Sequence, residues 1–232
     1  MSDISFIVCM GASRSNKLMP KYLQQLESAN ISYHVMPLSI TSPSDGKLGW
    51  CIDNYRNLAQ QFSNYDRIIL TDAWDVLCYA TRDQIEKILP RISPQVMFAA
   101  ERNCYPEPNL SFSIKSWIGE DVLWCYLNGG MLTASPQELL NWCDAVQNHP
   151  AYDPFMIGQQ WLNRRLAEKS DLVWIDWSTE LFYCMFMEDQ KPTLENKNGR
   201  PHNTYTGEFP SFIHFNGSWP PEPFLRMMGE KV

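Results

Sequence analysis

Asp72 and Asp75 stand three positions apart, directly behind the apolar run Ile68-Ile69-Leu70. A short apolar run flanked by charge reads as a central strand of an α/β sheet. The carboxyl end of such a strand is where α/β sheets hold ligands. Two carboxylates placed there can face one hard cation, which keeps positions open for phosphate oxygens. A pair of solvated loop acids is the plain alternative. Val76, Leu77 and Tyr79 continue apolar on the far side, which predicts a turn held in place rather than a free loop. Other residues able to do chemistry lie at similar boundaries. Glu101 follows the apolar stretch Gln95–Ala100, and Lys47 precedes a helical pattern. Gly11-Ala12-Ser13-Arg14-Ser15 closes the first apolar run. That small-residue loop is a candidate nucleotide contact, but it lacks the glycine spacing and terminal Gly-Lys-Ser/Thr of a Walker loop.

The elements that must position these residues follow from the pattern. Ile4–Met10 predicts a buried strand, Lys17–Ser28 a helix with Leu18, Tyr22, Leu23 and Leu26 on one face, and Tyr33–Met36 a second strand, together a β-α-β unit. Ser42–Gly46 reads as a loop, and Lys47–Trp50 leads into a helix carrying Ile52, Tyr55, Leu58, Ala59 and Phe62. A lysine at a helix N-terminus opposes the helix dipole unless an anion is present; a solvated surface lysine is the alternative. Thr81-Arg82-Asp83-Gln84 is a capping box opening a helix to Leu89. Arg102–Pro108 is expected to loop over the site. Leu127-Asn128-Gly129-Gly130 places paired glycines before an apolar strand through Ala134, where backbone can approach a ligand closely. Ser135-Pro136-Gln137-Glu138 is a complete helix start. A further helix is expected from Gly158 to Leu166 and a strand from Leu172 to Trp177. The polar, Gly/Pro-containing stretch Glu188–Glu208 predicts a long surface loop, with apolar character returning from Phe209 to Pro220.

At 232 residues, with no internal repeat and no clear linker, the chain is expected to form one domain, residues 1–232. A net charge of −7 argues against a general nucleic-acid binder. Seven cysteines are scattered singly, without a C-x-x-C pair, and suit buried free thiols in a reducing compartment. Met1-Ser2-Asp3-Ile4 reads as the approach to a strand, not a signal peptide, and no segment nears the roughly 20 apolar residues of a membrane span. A soluble, cytoplasmic protein without a membrane span is the expectation.

These pieces fall in an order that resembles one family, the glycosyltransferase domain of the procollagen lysyl hydroxylases and related procollagen galactosyl- and glucosyltransferases. The matching motifs are Lys47-x-x-Trp50, Asp72-x-x-Asp75, Ala100-Glu101 with Cys104-Tyr105-Pro106-Glu107, Leu127-Asn128-Gly129-Gly130 (one residue short of the family pattern), and His214-Phe215-Asn216-Gly217. They run in register over about residues 4 to 221. The resemblance implies a GT-A fold, an α/β architecture with a mixed, mostly parallel sheet flanked by helices. It further implies a UDP-sugar donor, UDP-glucose or UDP-galactose, and a divalent cation, Mn2+ or Mg2+, on Asp72, Asp75 and His214. Nucleotide contacts would come from Gly11, Lys47, Trp50, Thr71, Asp72, Asn216, Gly217 and Trp219. Glu101, Asn128 and Gln160 would serve the sugar and acceptor side, with a protein, glycan or small-molecule hydroxyl as acceptor.

The chain departs from the family at Gly158-Gln159-Gln160, where the family has Asp-Asp-Gln. An amide can hydrogen-bond a sugar hydroxyl but cannot accept a proton as a carboxylate does. Glu101 or Asp153 would then supply the missing acid, or the acceptor, donor sugar or activity differs. Two rivals stay open: a non-catalytic sugar-nucleotide or glycan-binding module on the same fold, and a metal-dependent phosphatase. The phosphatase reading wants Asp-x-Asp where this chain has Asp-x-x-Asp.

Overall fold

The computed structural model describes residues 4–12, 18–37, 46–92, 95–217 and 219–230. The expected loops at Ser13–Ser15 and Ser42–Asp45 lie outside the described residues. The first unit is as expected: β1 (Phe6–Ala12), α1 (Met19–Ser28) and β2 (Tyr33–Pro37), with β1 and β2 parallel. Next come α2 (Leu48–Gln61), β3 (Arg67–Asp72), β4 (Val76–Cys78), α3 (Arg82–Ile88) and β5 (Met97–Glu101). They are followed by α4 (Ser111–Ile118), β6 (Tyr126–Ala134), α5 (Pro136–Gln147), α6 (Gly158–Ala167) and β7 (Trp174–Ile175). The chain closes through β8 (Phe182–Cys184), β9 (Leu194–Lys197), β10 (Arg200–Asn203), β11 (Phe212–His214) and α7 (Glu222–Met227).

Six strands form the central sheet in the order β2-β1-β3-β6-β5-β7. β6 runs against both its neighbours, and the remaining pairings are parallel. Strand β3 lies mid-sheet, where Ile68 and Ile69 are fully buried, which is why its sequence is apolar on both faces instead of alternating. One contiguous hydrophobic cluster joins this sheet to α1, α2, α5 and α6.

Local signals place the helices. Ser135 Oγ accepts the Glu138 N–H (3.2 Å) at the start of α5, and the Thr81 N–H donates to Gln84 Oε1 (2.9 Å) at the start of α3.

Three expectations are corrected. The apolar stretch after Asp75 is a strand, β4, not a turn: it pairs with β11, which also pairs with β8, in a separate three-stranded sheet. The paired glycines lie inside β6, not before it, at a register irregularity against β5 between Phe98 and Ala99. The stretch Glu188–Glu208 is not a structureless loop but holds the β9–β10 hairpin, turned by Asn198-Gly199 with positive φ at both residues, the two-residue turn whose twist matches paired strands. The buried carboxylate of Glu188 anchors its entry by accepting the Thr193 and Leu194 N–H groups.

Candidate active site

Register builds the acidic cluster. Asp72 ends β3 opposite Gly11 of β1, and β4 begins at Val76 after three intervening residues. Pairing of β4 with β11 sets His214 across from Val76, and the Phe215 N–H donates to the Asp75 carbonyl (2.7 Å). Residues far apart in sequence thus meet: His214 Nε2 lies 3.4 Å from Asp72 Oδ2 and 3.3 Å from Asp75 Oδ2. Burial alone would lower the imidazole pKa, but the Asp75 charge and the hydrogen bonds the ring donates to both aspartates raise it well above the usual value. Burial raises the Asp72 carboxyl, partly offset by His214.

The donor set fits a divalent cation. One ligand atom from each of the three residues lies within 4.8 Å of the others. Asp75 Oδ1 is buried with no hydrogen-bond partner, an arrangement costly for a carboxylate oxygen unless something cationic meets it. Gly130 makes room: a Cβ there would sit 2.5 Å from His214 Cε1 and 2.6 Å from Asp72 Oδ2.

Beside this cluster lies a second one, built around Glu101 at the end of β5. Its side chain is buried and surrounded by amides. Asn128 Nδ2 (3.3 Å) and Asn216 Nδ2 (2.6 Å) donate to Oε2, and Gln159 Nε2 donates to Oε1 (2.5 Å). Burial pushes the Glu101 carboxyl up to about 8, against the lowering effect of these donors and of His214. The amides are tied in turn. Asn128 Oδ1 accepts the Gly130 N–H (2.9 Å), Gln159 Oε1 the Gly129 N–H (3.0 Å), and Asn216 Oδ1 the Phe186 N–H (3.0 Å). The bulged β6 glycines are therefore held by the groups that hold Glu101.

Other residues singled out from the sequence fall around the same end of the sheet. Thr71 is buried and shares a hydrogen bond with the Tyr22 hydroxyl (2.9 Å). Gly217 lies against the Phe186 ring. Trp219 keeps a buried indole N–H without a hydrogen-bond partner. Lys47 caps α2 and bridges to Ile157 ahead of α6, and Trp50 lies in the first turn of α2, half-buried. The first N–H groups of α2 are occupied: Leu48 and Gly49 donate to the carbonyls of Met156 and Pro154. Two of the N–H groups that an anion at this helix end would use are thus taken by the loop before α6.

The structure does not bring Gln160 to Glu101. It turns to Glu107, donating at 3.1 Å to a carboxylate that Arg164 also grips. Its neighbour Gln159 enters the cluster instead. Sequence reasoning missed Gln159 because adjacent helical residues point about 100° apart and nothing in the string says which faces the sheet. Asn163, one turn on and fully buried, was also missed; it holds α6 to both main-chain polar groups of Leu127.

The model of the PLOD glycosyltransferase (GT) domain matches residues 6–225. This chain belongs to that glycosyltransferase family. Among curated proteins, none matches it in sequence. Solved structures share its GT-A fold. A glycosyltransferase involved in glycosylation of the major capsid of PBCV-1 superposes with a TM-score of 0.57 at 11% identity, over 97% of this chain and 98% of that one. The galactosyltransferase LgtC, solved in complex with donor and acceptor sugar analogues, gives 0.51 at 14% identity over 96% and 95%. An active-site mutant of LgtC gives 0.54 at 11% over the same shares. Among the described residues, no helix is long and apolar enough to cross a membrane.

Proposed function

We propose that this glycosyltransferase moves a hexose, glucose or galactose, from a UDP-sugar to a hydroxyl of a protein, glycan or small-molecule acceptor, with Mn2+ or Mg2+ as its cation. The observation that carries the reading is the convergence of Asp72, Asp75 and His214, with Asp75 Oδ1 buried and unpaired, beside a buried carboxylate held by three amides. When bound, the cation would offset the charge that grows on the departing diphosphate. Asp72, Asp75 and His214 hold it. Gly11, Lys47, Trp50, Thr71, Gly217 and Trp219 are assigned to the nucleotide, where Trp219 brings an unpaired N–H and Lys47 a charge. Asn216 reaches from that side to Glu101, which with Asn128 faces the transferred sugar and the acceptor hydroxyl. Gln160 acts there only through its contact with Glu107. Free thiols at all seven cysteines favour a reducing, cytoplasmic setting, and we take residues 1–232 as one domain.

Titration calorimetry with UDP-glucose, UDP-galactose, UDP-N-acetylglucosamine and GDP-mannose, with and without Mn2+, tests the reading. Metal-dependent binding of a UDP-hexose followed by its turnover is expected. Absence of binding by all four would overturn it. Binding without turnover would favour a non-catalytic sugar-nucleotide module, the reading that Gly158-Gln159 in place of carboxylates supports.

A further inference from the structure

We propose that Gln159 is a positioning residue that locks Glu101 so that one acceptor position of its carboxylate, on Oε1, faces the reacting hydroxyl. The inference rests on the glycosyltransferase reading and names how its acceptor side is organised. An ionised carboxylate offers about four lone-pair positions, and Glu101, whose carboxyl is pushed up to about 8 by burial, offers them all once its proton has left. Oε2 of Glu101 receives two donors, Asn128 and Asn216, and Oε1 receives one, Gln159. The two oxygens are therefore unequal, and Oε1 keeps the open position.

Gln159 is suited to this because its amide works at both ends. Its Oε1 accepts the Gly129 N–H at the β6 bulge, and its Nε2 donates to Glu101 and, at 3.4 Å, reaches the Tyr105 carbonyl. A carboxylate at position 159 could take the Gly129 contact but could not donate to Glu101. The chain thus has one carboxylate at this point where two would compete for a proton. The side chain also touches three separate segments: the bulge of β6, the end of β5 and the loop that follows it. Fixing a reacting group within a fraction of an ångström is worth large factors in rate.

The test pairs a direct probe of the contact with a kinetic one. In the metal-free protein above pH 8, where Glu101 is ionised, the Gln159 side-chain amide signals in a 1H–15N spectrum are expected to include one proton displaced downfield and slow to exchange. That displacement should be lost in Glu101→Gln, where the acceptor charge is gone. Gln159→Met keeps side-chain volume but removes all three hydrogen bonds. It is expected to lower kcat roughly ten- to a hundredfold while leaving KM for the donor and metal-dependent nucleotide affinity within twofold. Gln159→Glu, which keeps only the Gly129 contact, should be equally slow. A Gln159 amide signal unaffected by Glu101→Gln, or a Gln159→Glu enzyme with wild-type kcat, would overturn the assignment. If the wild-type chain turns over no hexose donor, the donor reading fails separately and the amide spectrum alone decides on Gln159.

Discussion

Replacing Gly130 by alanine separates the metal cluster from the rest of the fold with one methyl group. The added Cβ would stand 2.5 Å from His214 Cε1, 2.6 Å from Asp72 Oδ2 and 3.1 Å from Asn128 Oδ1. Ordinary van der Waals contact begins near 3.4 Å, so two ligands must each retreat by the better part of an ångström. Metal coordination tolerates only about ±0.2 Å. Outer-shell perturbations alone cost about 10–100-fold in metal affinity. Displacement of two ligands should therefore lower Mn2+ affinity by at least about 100-fold, together with overpacking of about 1–3 kcal/mol. Gly129→Ala is the matched control, because its Cβ would meet Gln159 Cβ at 3.4 Å, an ordinary contact. Calorimetric Mn2+ titration of both variants, in the presence of UDP and with thermal melts to show that each is folded, reads the difference. A folded Gly130→Ala protein that binds Mn2+ as the wild type does would refute the placement of the cation among Asp72, Asp75 and His214.

Asp75→Ala should abolish metal-dependent turnover. Asp75→Asn should also lose Mn2+ binding, and the metal-free protein should melt lower than wild type because the charge that Asp75 Oδ2 sets 3.3 Å from His214 is gone; calorimetry and a melt of the apo protein check both halves. Glu101→Gln should cut turnover by roughly 10²–10⁴ if Glu101 handles a proton, measured as kcat at saturating donor. The same variant carries a stability signature. The folded-state carboxyl pKa lies above its ordinary 4.5, at about 8, so wild-type stability from this group is full below pH 4.5 and declines as pH rises to 8. The melting temperature of Glu101→Gln relative to wild type should climb across that window, and a flat difference would remove the burial argument. Ser135→Ala should cost about 1 kcal/mol through loss of the α5 cap, seen as a lower urea midpoint with unchanged Mn2+ affinity.

Much of this molecule could be read from its residues because the signals were local. The buried run Ile68–Leu70 gave its strand, Ser135–Glu138 its helix start, and Asp72-x-x-Asp75 its place at a strand end. What escaped depended on pairing across the chain. Nothing local in Val76, Leu77 and Tyr79 announces that β11 will lie beside this stretch, so it reads as a turn. The glycines of β6 read as a strand boundary because a bulge is defined by its partner strand, not by its own sequence. The hairpin at Asn198-Gly199 was legible in principle, since that dipeptide is a strong turn signal, but the polar residues around it masked two short strands. Gln159 and Gln160 could be told apart only once the rotation of α6 against β6 was known.

Asp72 belongs to the six-stranded sheet, whereas Asp75 leads into, and His214 ends, strands of the smaller one. A cation on all three would act as a rivet across the seam between two sheets. Its binding to the folded form alone would add about 2.7 kcal/mol against unfolding at a free concentration 100 times Kd. The seam closes only after the last strand is in place, so a chain ending before β11 would keep both aspartates yet lack the rivet. Protection of the Ala73-Trp74 crossing from limited proteolysis by added Mn2+ would then report, without any sugar present, that the two ends of the chain have been joined.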